Sequence, residues 1–289
     1  MPSQKRTGEL AVLCKAVLGS VFPILTVVTV SILSPLFSAA LCTGFAAVFF
    51  ATTLTWRNHW KQDLTNEAWK NMLLATFFIG IVFYALVFTG YRFTSPGNGA
   101  MVGLMEVFFT FIIVNLLWKH ERFVPMHAFG AFLMILGALS ILLPRHTGTW
   151  NIGNLLILLA TASAPIGNIY AQRARALVSA DMMMFVRSAI SSAFLLVLAW
   201  IFEITPTSEA LADSFWYLVL SGIFLLGFCK ILWLEAIHRL PIAKTVALAE
   251  INVPLTLLFA YLFLGQGMTQ EQTMSIVPML AGVYFLTKK

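Results

Sequence analysis

Residues 90–123 read GYRFTSPGNGAMVGLMEVFFTFIIVNLLWKHERF, and between Arg92 and Lys119 the sole ionisable side chain is Glu106. The hydrocarbon core of a bilayer is about 30 Å thick and takes about 20 predominantly apolar residues per helix. Residues 96–118 are long enough, begin at the Pro96-Gly97 break and end on Trp118 before a polar stretch. The run is uniformly apolar rather than short and alternating, which favours a helix over a barrel strand. The segment reads as a membrane span with one carboxyl near its centre.

Nine further runs of similar length lie between polar breaks, at 9–31, 34–56, 69–91, 124–143, 151–171, 181–202, 214–237, 241–264 and 270–287. The expected fold class is therefore an all-α polytopic membrane protein with ten transmembrane helices. Trp56, Trp60, Trp69, Trp118, Trp150 and Trp216 mark several span ends, as aromatic anchors do at headgroup depth. Pro or Gly punctuates the breaks at Pro35, Pro125, Pro144, Pro206, Pro241 and Gly265. Of the 289 residues, 60% are hydrophobic and 10% charged, with a mean hydropathy of +0.88. Soluble domains run about 45–50% apolar and about 25% charged, so a water-soluble enzyme, a nucleic-acid-binding domain and a disordered tail are excluded.

Smaller features remove other classes. Cys14, Cys42 and Cys229 lie inside apolar runs without a CxxC pair, and read as small buried hydrophobes. His120 and His127 lack metal-ligand spacing, and no catalytic residues are picked out, so neither metal, cofactor nor enzymatic activity is expected. The absence of a GxxxxGK[ST] loop excludes ATP hydrolysis on this chain. The first run follows Lys5 and Arg6 and reads as a retained signal-anchor.

Lys and Arg set the orientation. With ten spans, the side holding the N-terminus carries 12 of them in loops or at span ends and the opposite side carries Arg92 and Arg145 alone. Cytoplasmic loops are enriched in Lys and Arg, so both termini are expected in the cytoplasm of a multi-pass protein of the cell inner or plasma membrane.

The halves also resemble each other when shifted by about 145 residues. Residues 90–142 and 236–286 each run from a span end through a short turn, an apolar span with a central Glu and a polar break to a Gly-containing span. Glu106 falls near Glu250, and Gly137 near Gly282. Five spans is an odd number, so the repeats 1–145 and 146–289 would enter the membrane from opposite sides. Such an inverted repeat suits alternating access around a midplane site.

At these residues the chain resembles the drug/metabolite transporter superfamily, in its EamA-like branch. Residues 90–123 are similar to that family's turn between its third and fourth spans, with a Glu in the fourth and an acidic-basic pair, Glu121-Arg122, after it. A proline typically follows that Glu in the family; here the position is Val107. HRLPIAKTVALAE, residues 238–250, is similar to the Pro-centred turn between spans eight and nine. The register there is about two residues shorter, which leaves both Glu250 and Asn252 as counterparts of Glu106. The resemblance implies secondary transport or export of small metabolites through a central cavity, without fixing the substrate.

Ionisable groups at mid-bilayer cost about 2.5–3.5 kcal/mol on insertion scales, which makes each a functional candidate. Glu106 reads either as a cavity carboxylate that carries a proton or meets a cation, or as an acid bonded to a neighbouring helix. Lys230 reads as a cavity cation that binds an anion or pairs with Glu250, with snorkelling as the alternative; Arg187 carries the same two readings. Tyr84 matches Lys230 across the repeat, and Trp233 is close enough in sequence to line the same space. Glu250 and Asn252 stand beside Pro254, which frees a backbone carbonyl for a ligand or simply kinks the helix. Lys15 and Lys244 are assigned to snorkelling, and Glu235–Arg239 to an ordinary i,i+4 pair.

The candidate substrate-binding set is Tyr84, Glu106, Lys230, Trp233, Glu250 and Asn252. A cation, carboxylates and aromatic walls suit a small amphipathic, amino-acid-like metabolite, with protons as the candidate coupling ion. The expected partners are that small molecule and the lipid bilayer, without nucleic acid, for a monomer or homodimer. A membrane-embedded enzyme and a passive channel are the rival classes. The orientation is checked by fusions after Lys289: a fluorescent protein should fold and fluoresce there, while alkaline phosphatase activity at that site would overturn the topology.

Overall fold

The computed structural model describes residues 2–62, 64–117, 125–142 and 151–287, which form helices joined by short turns with no strand among them. Eight helices are long and apolar enough to cross a membrane. They are α1 (Lys5–Ile32), α2 (Pro35–Trp56), α3 (Asn66–Tyr91), α4 (Pro96–Val114), α6 (Ile152–Leu177), α7 (Ala180–Phe202), α8 (Ser208–Arg239) and α9 (Ile242–Leu264). Two further helices, α5 (Pro125–Leu142) and α10 (Gln270–Thr287), pack against each other. Trp118, Trp150, Lys119, His120, Glu121, Arg122, Pro144 and Arg145 lie outside the described residues, as does the side chain of His127.

Local chemistry sets the helix ends. Thr65, Ser95, Asn151, Ser179 and Thr207 each accept a hydrogen bond from the backbone N–H three residues on, at 3.1–3.2 Å. Such caps contribute about 1 kcal/mol each by satisfying one of the first-turn donors. At the other end of α9, Gly265 takes the left-handed conformation, φ 64°, that closes a helix most easily without a Cβ. Caps also explain where the sequence-based ends fall short. Thr207 starts α8 six residues before 214, and Thr65 starts α3 before Trp69, because polar first turns extend the helices beyond their apolar runs.

Interruptions inside the helices recur in both halves. In α3 a wider, π-helical stretch ends at Val82; in α8 another ends at Phe228, 146 residues later. α4 tightens around Leu104, where the N–H of Leu104 bonds Met101 O and that of Val107 bonds Leu104 O. α9 repeats this pattern with Glu250 to Ala247 O and Val253 to Glu250 O, again 146 residues on. This register sets Asn252, rather than Glu250, opposite Glu106, and decides between the two counterparts left open by the sequence.

Packing pairs the same positions of the two halves. α2 lies along α7 and α5 along α10; α1 packs on α8 and α9, while α3 and α4 pack on α6. Close approach depends on small residues, as is usual between membrane helices. A Cβ on Gly153 of α6 would stand 2.5 Å from Gly90 O and 2.9 Å from the Phe93 carbonyl carbon, both backbone atoms. Cys42 and Cys229 are buried as expected, but Cys14 is exposed on the outer face of α1, because its neighbour on the inward side is Lys15.

Ion pairs knit one end of the bundle. Arg175 of α6 and Arg239 of α8 share Glu235 at 2.6 and 3.0 Å, and Lys244 of α9 meets Glu9 of α1 at 2.5 Å. Glu235–Arg239 is thus part of a three-residue cluster, and Lys244 is an interhelical partner rather than a snorkelling side chain. At the opposite end, Glu203 accepts from the N–H groups of Leu36 and Phe37 at 2.9 and 3.0 Å, fastening the end of α7 to the start of α2.

Gly153→Ala is expected to cost about 1–3 kcal/mol through overpacking against backbone and to lower the thermal midpoint of the purified protein by several degrees. Gly103→Ala, where a Cβ meets nothing within 4 Å, should leave the midpoint unchanged or raise it. Equal midpoints for the two variants would contradict the tight α3–α6 contact.

Candidate functional site

Between the interrupted helices lies a cavity of about 170 Å³ walled by α1, α3, α4, α6, α7, α8 and α9. Tyr84, Glu106, Lys230, Trp233, Glu250 and Asn252 all line it. Tyr84, Trp233 and Glu250 are at most 7% exposed, while Glu106, Lys230 and Asn252 are half-buried. The interruptions carry these side chains. Glu106 follows the tightened turn of α4, Glu250 sits on that of α9, and Tyr84 and Lys230 follow the π-helical stretches. Where helical hydrogen bonding is irregular, backbone and side chains face protein or water rather than lipid.

Hydrogen bonds fix part of the lining. Asn168 of α6 donates from Nδ2 to Glu106 Oε1 at 3.1 Å and accepts at Oδ1 from Trp233 Nε1 at 3.2 Å. The Trp233 ring in turn carries the Lys15 ammonium 4.9 Å from its centroid, a cation–π contact. Glu106 is therefore tied to a neighbouring helix, as one of its two sequence readings had it, while still facing the cavity. Arg187 Nη2 donates to the Tyr84 hydroxyl at 3.2 Å. Asn252 Oδ1 is buried without a hydrogen-bond partner.

Pairing with Glu250, one of the readings open for Lys230, is not seen. Among the described residues, no ion pair within 4 Å joins two cavity side chains. Lys230 and Glu250 line one cavity without bonding to each other. The carboxylate in electrostatic reach of Lys230 is Glu106, and the ammonium in reach of Glu250 is that of Lys15.

Among the lining residues outside the candidate set are Lys15, Arg187 and Asn168. Lys15, assigned to snorkelling, points into the cavity together with Gly19, Phe22 and Pro23. That stripe at helical spacing was available in the sequence, but the run begins so near a basic N-terminus that the interface looked within reach. Arg187, left between two readings, is 3% exposed and lines the cavity. The sequence marks Asn168 only as an amide inside an apolar run, close to Pro165.

Fold and cavity together define an integral, multi-pass helical membrane protein with a polar chamber inside the bundle. The EamA-like transporter family matches residues 6–143 and again 151–288, so the chain belongs to that family and contains two copies of its repeat. It is similar to the "Uncharacterized transporter YoaV" of Bacillus subtilis (strain 168), 22% identical over 235 residues that cover 78% of each chain. A solved crystal structure shares the fold, with a TM-score of 0.69 at 17% identity, covering 99% of this chain and 97% of the other.

Proposed function

We propose that this protein is a secondary transporter that moves a small amphipathic, amino-acid-like metabolite across the inner or plasma membrane by alternating access. It works as a proton-coupled or facilitated exporter, with both termini in the cytoplasm. The observation that carries this reading is the unpaired state of the cavity charges. Lys15, Arg187 and Lys230 face Glu106 and Glu250 around one chamber without a direct ion pair among the described residues. Charges left apart in a low-dielectric interior are unfavourable unless water or a ligand with both signs satisfies them.

Tyr84, Glu106, Lys230, Trp233, Glu250 and Asn252 form the binding set in this reading. Glu106 is the proton carrier, because the cavity reaches it while Asn168 bonds one of its oxygens. Ten spans arranged as inverted five-helix repeats, 1–145 and 146–289, provide the two-state frame. The 146-residue recurrence of the helix interruptions and the exchange of α1–α8 for α3–α6 packing support that arrangement. The working unit is a monomer or a homodimer.

Reconstitution into liposomes tests the reading with a panel of radiolabelled neutral amino acids. Uptake should accelerate when a proton gradient is imposed, and Glu106→Gln should cut the gradient-driven part about tenfold or more, the factor that 1.4 kcal/mol represents. Gradient-independent flux that saturates with concentration would favour the facilitated mode, gradient-independent flux that does not saturate would favour a channel, and no flux for any panel member would favour an enzyme or a subunit. Full gradient-driven transport by the Gln variant would remove Glu106 from the coupling role.

A further inference from the structure

We infer that Arg187, with the Tyr84 hydroxyl and Lys230, forms a subsite for a carboxylate of the transported molecule. The inference rests on the transporter reading for the claim that the bound molecule is cargo; the subsite itself rests on geometry.

Arg187 is 3% exposed and lines the cavity from α7. A guanidinium has five donors and no acceptor. Here one nitrogen donates to Tyr84 Oη at 3.2 Å, the guanidinium carbon stands 5.9 Å from the Tyr84 ring centroid, and Nε is buried without a hydrogen-bond partner. None of the described ion pairs includes Arg187. Lys230 is a second cation within its electrostatic reach. Two neighbouring cations, one of them almost wholly buried, without an acid bonded to either, form a site that an anion completes.

Shape and charge select the anion. The planar guanidinium fork matches a two-oxygen carboxylate, and the Tyr84 hydroxyl and Lys230 ammonium supply further donors. Three cations and two carboxylates among the lining residues, Lys15, Arg187 and Lys230 against Glu106 and Glu250, give a formal charge of +1. A single carboxylate group offsets that excess and leaves Glu106 and Glu250 for the donor end of the molecule, whereas a phosphate dianion overshoots it. Towards Glu250, Asn252 Oδ1 is a buried acceptor without a donor. The ligand class is thus a small monocarboxylate with an apolar body and an N–H or O–H donor at its other end. Arg187 orients its carboxylate towards α3, α7 and α8.

Saturation-transfer difference NMR on the full chain in nanodiscs tests this with 4-methylpentanoate and its uncharged amide, 4-methylpentanamide, as probes. The carboxylate should show saturation transfer and the amide only background. Arg187→Gln should reduce the carboxylate signal about tenfold, as expected for loss of charge-assisted hydrogen bonds, and Arg187→Lys should restore part of it. Tyr84→Phe, which keeps the ring, should weaken it and decides the matter if the Arg187 variants do not fold. Equal signals from the two probes, or an unchanged signal in Arg187→Gln, would overturn the subsite. Carboxylate binding without flux in liposomes would overturn the transporter reading and leave the subsite standing; flux with no preference for the carboxylate probe would do the reverse.

Discussion

An ionisable side chain at mid-bilayer depth must find water, a partner or a ligand, and the rest of this structure is organised around that requirement. Lys15, Arg187, Lys230, Glu106 and Glu250 come from α1, α7, α8, α4 and α9, all turned towards one chamber and away from lipid. Ion pairs that do form lie elsewhere, as in the Glu235 cluster and Glu9–Lys244. The chamber charges are held in position by neutral contacts instead, through Asn168, Trp233 and Tyr84. Neutral supports orient a charge without neutralising it, so its electrostatic demand stays available to whatever enters.

The frame repeats but the chemistry does not. At the 146-residue register Tyr84 matches Lys230, Glu106 matches Asn252, Val87 matches Trp233 and Lys15 matches Thr161, and all eight line the cavity. Duplicated backbone features, the π-helical stretches and the tightened turns, aim equivalent positions inward in both halves. Substitution at those positions then leaves the cations concentrated on α1, α7 and α8 and the carboxylates on α4 and α9. In the proposed transporter reading, the asymmetric lining gives a bound molecule a head and a tail, and the similar halves supply two packing arrangements to exchange.

Much of this was legible in the sequence because the bilayer imposes simple rules on it. Apolar length gave the helices, and Glu106, Lys230 and Glu250 drew attention as charges in the middle of spans. What was not legible depended on rotation and on neighbours. Lys15 and Arg187 have stems long enough to reach an interface, and only the packing of α1 on α8 and of α7 beside α3 turns them inward. The counterpart of Glu106 could not be chosen between Glu250 and Asn252 until the tightened turns fixed the register. Equal depth along adjacent helices put Lys230 and Glu250 at one cavity, but depth does not show whether the two bond to each other or wait for a ligand. Asn168 is an ordinary amide by composition, and its importance comes from bonding Glu106 and Trp233 together.

For the proposed function to hold, the charges within the spans must face a water-accessible chamber rather than lipid or a sealed interior. Labelling of single cysteines at positions 15, 106 and 230 tests it most directly, in a background with Cys14, Cys42 and Cys229 replaced and using a membrane-impermeant charged thiosulfonate. Position 48, where Val48 is 59% exposed on the outer face of α2, serves as the lipid-facing control. The three cavity positions should react from at least one side of the membrane while position 48 stays unreactive. Resistance at all three, from both sides and in folded protein, would contradict it.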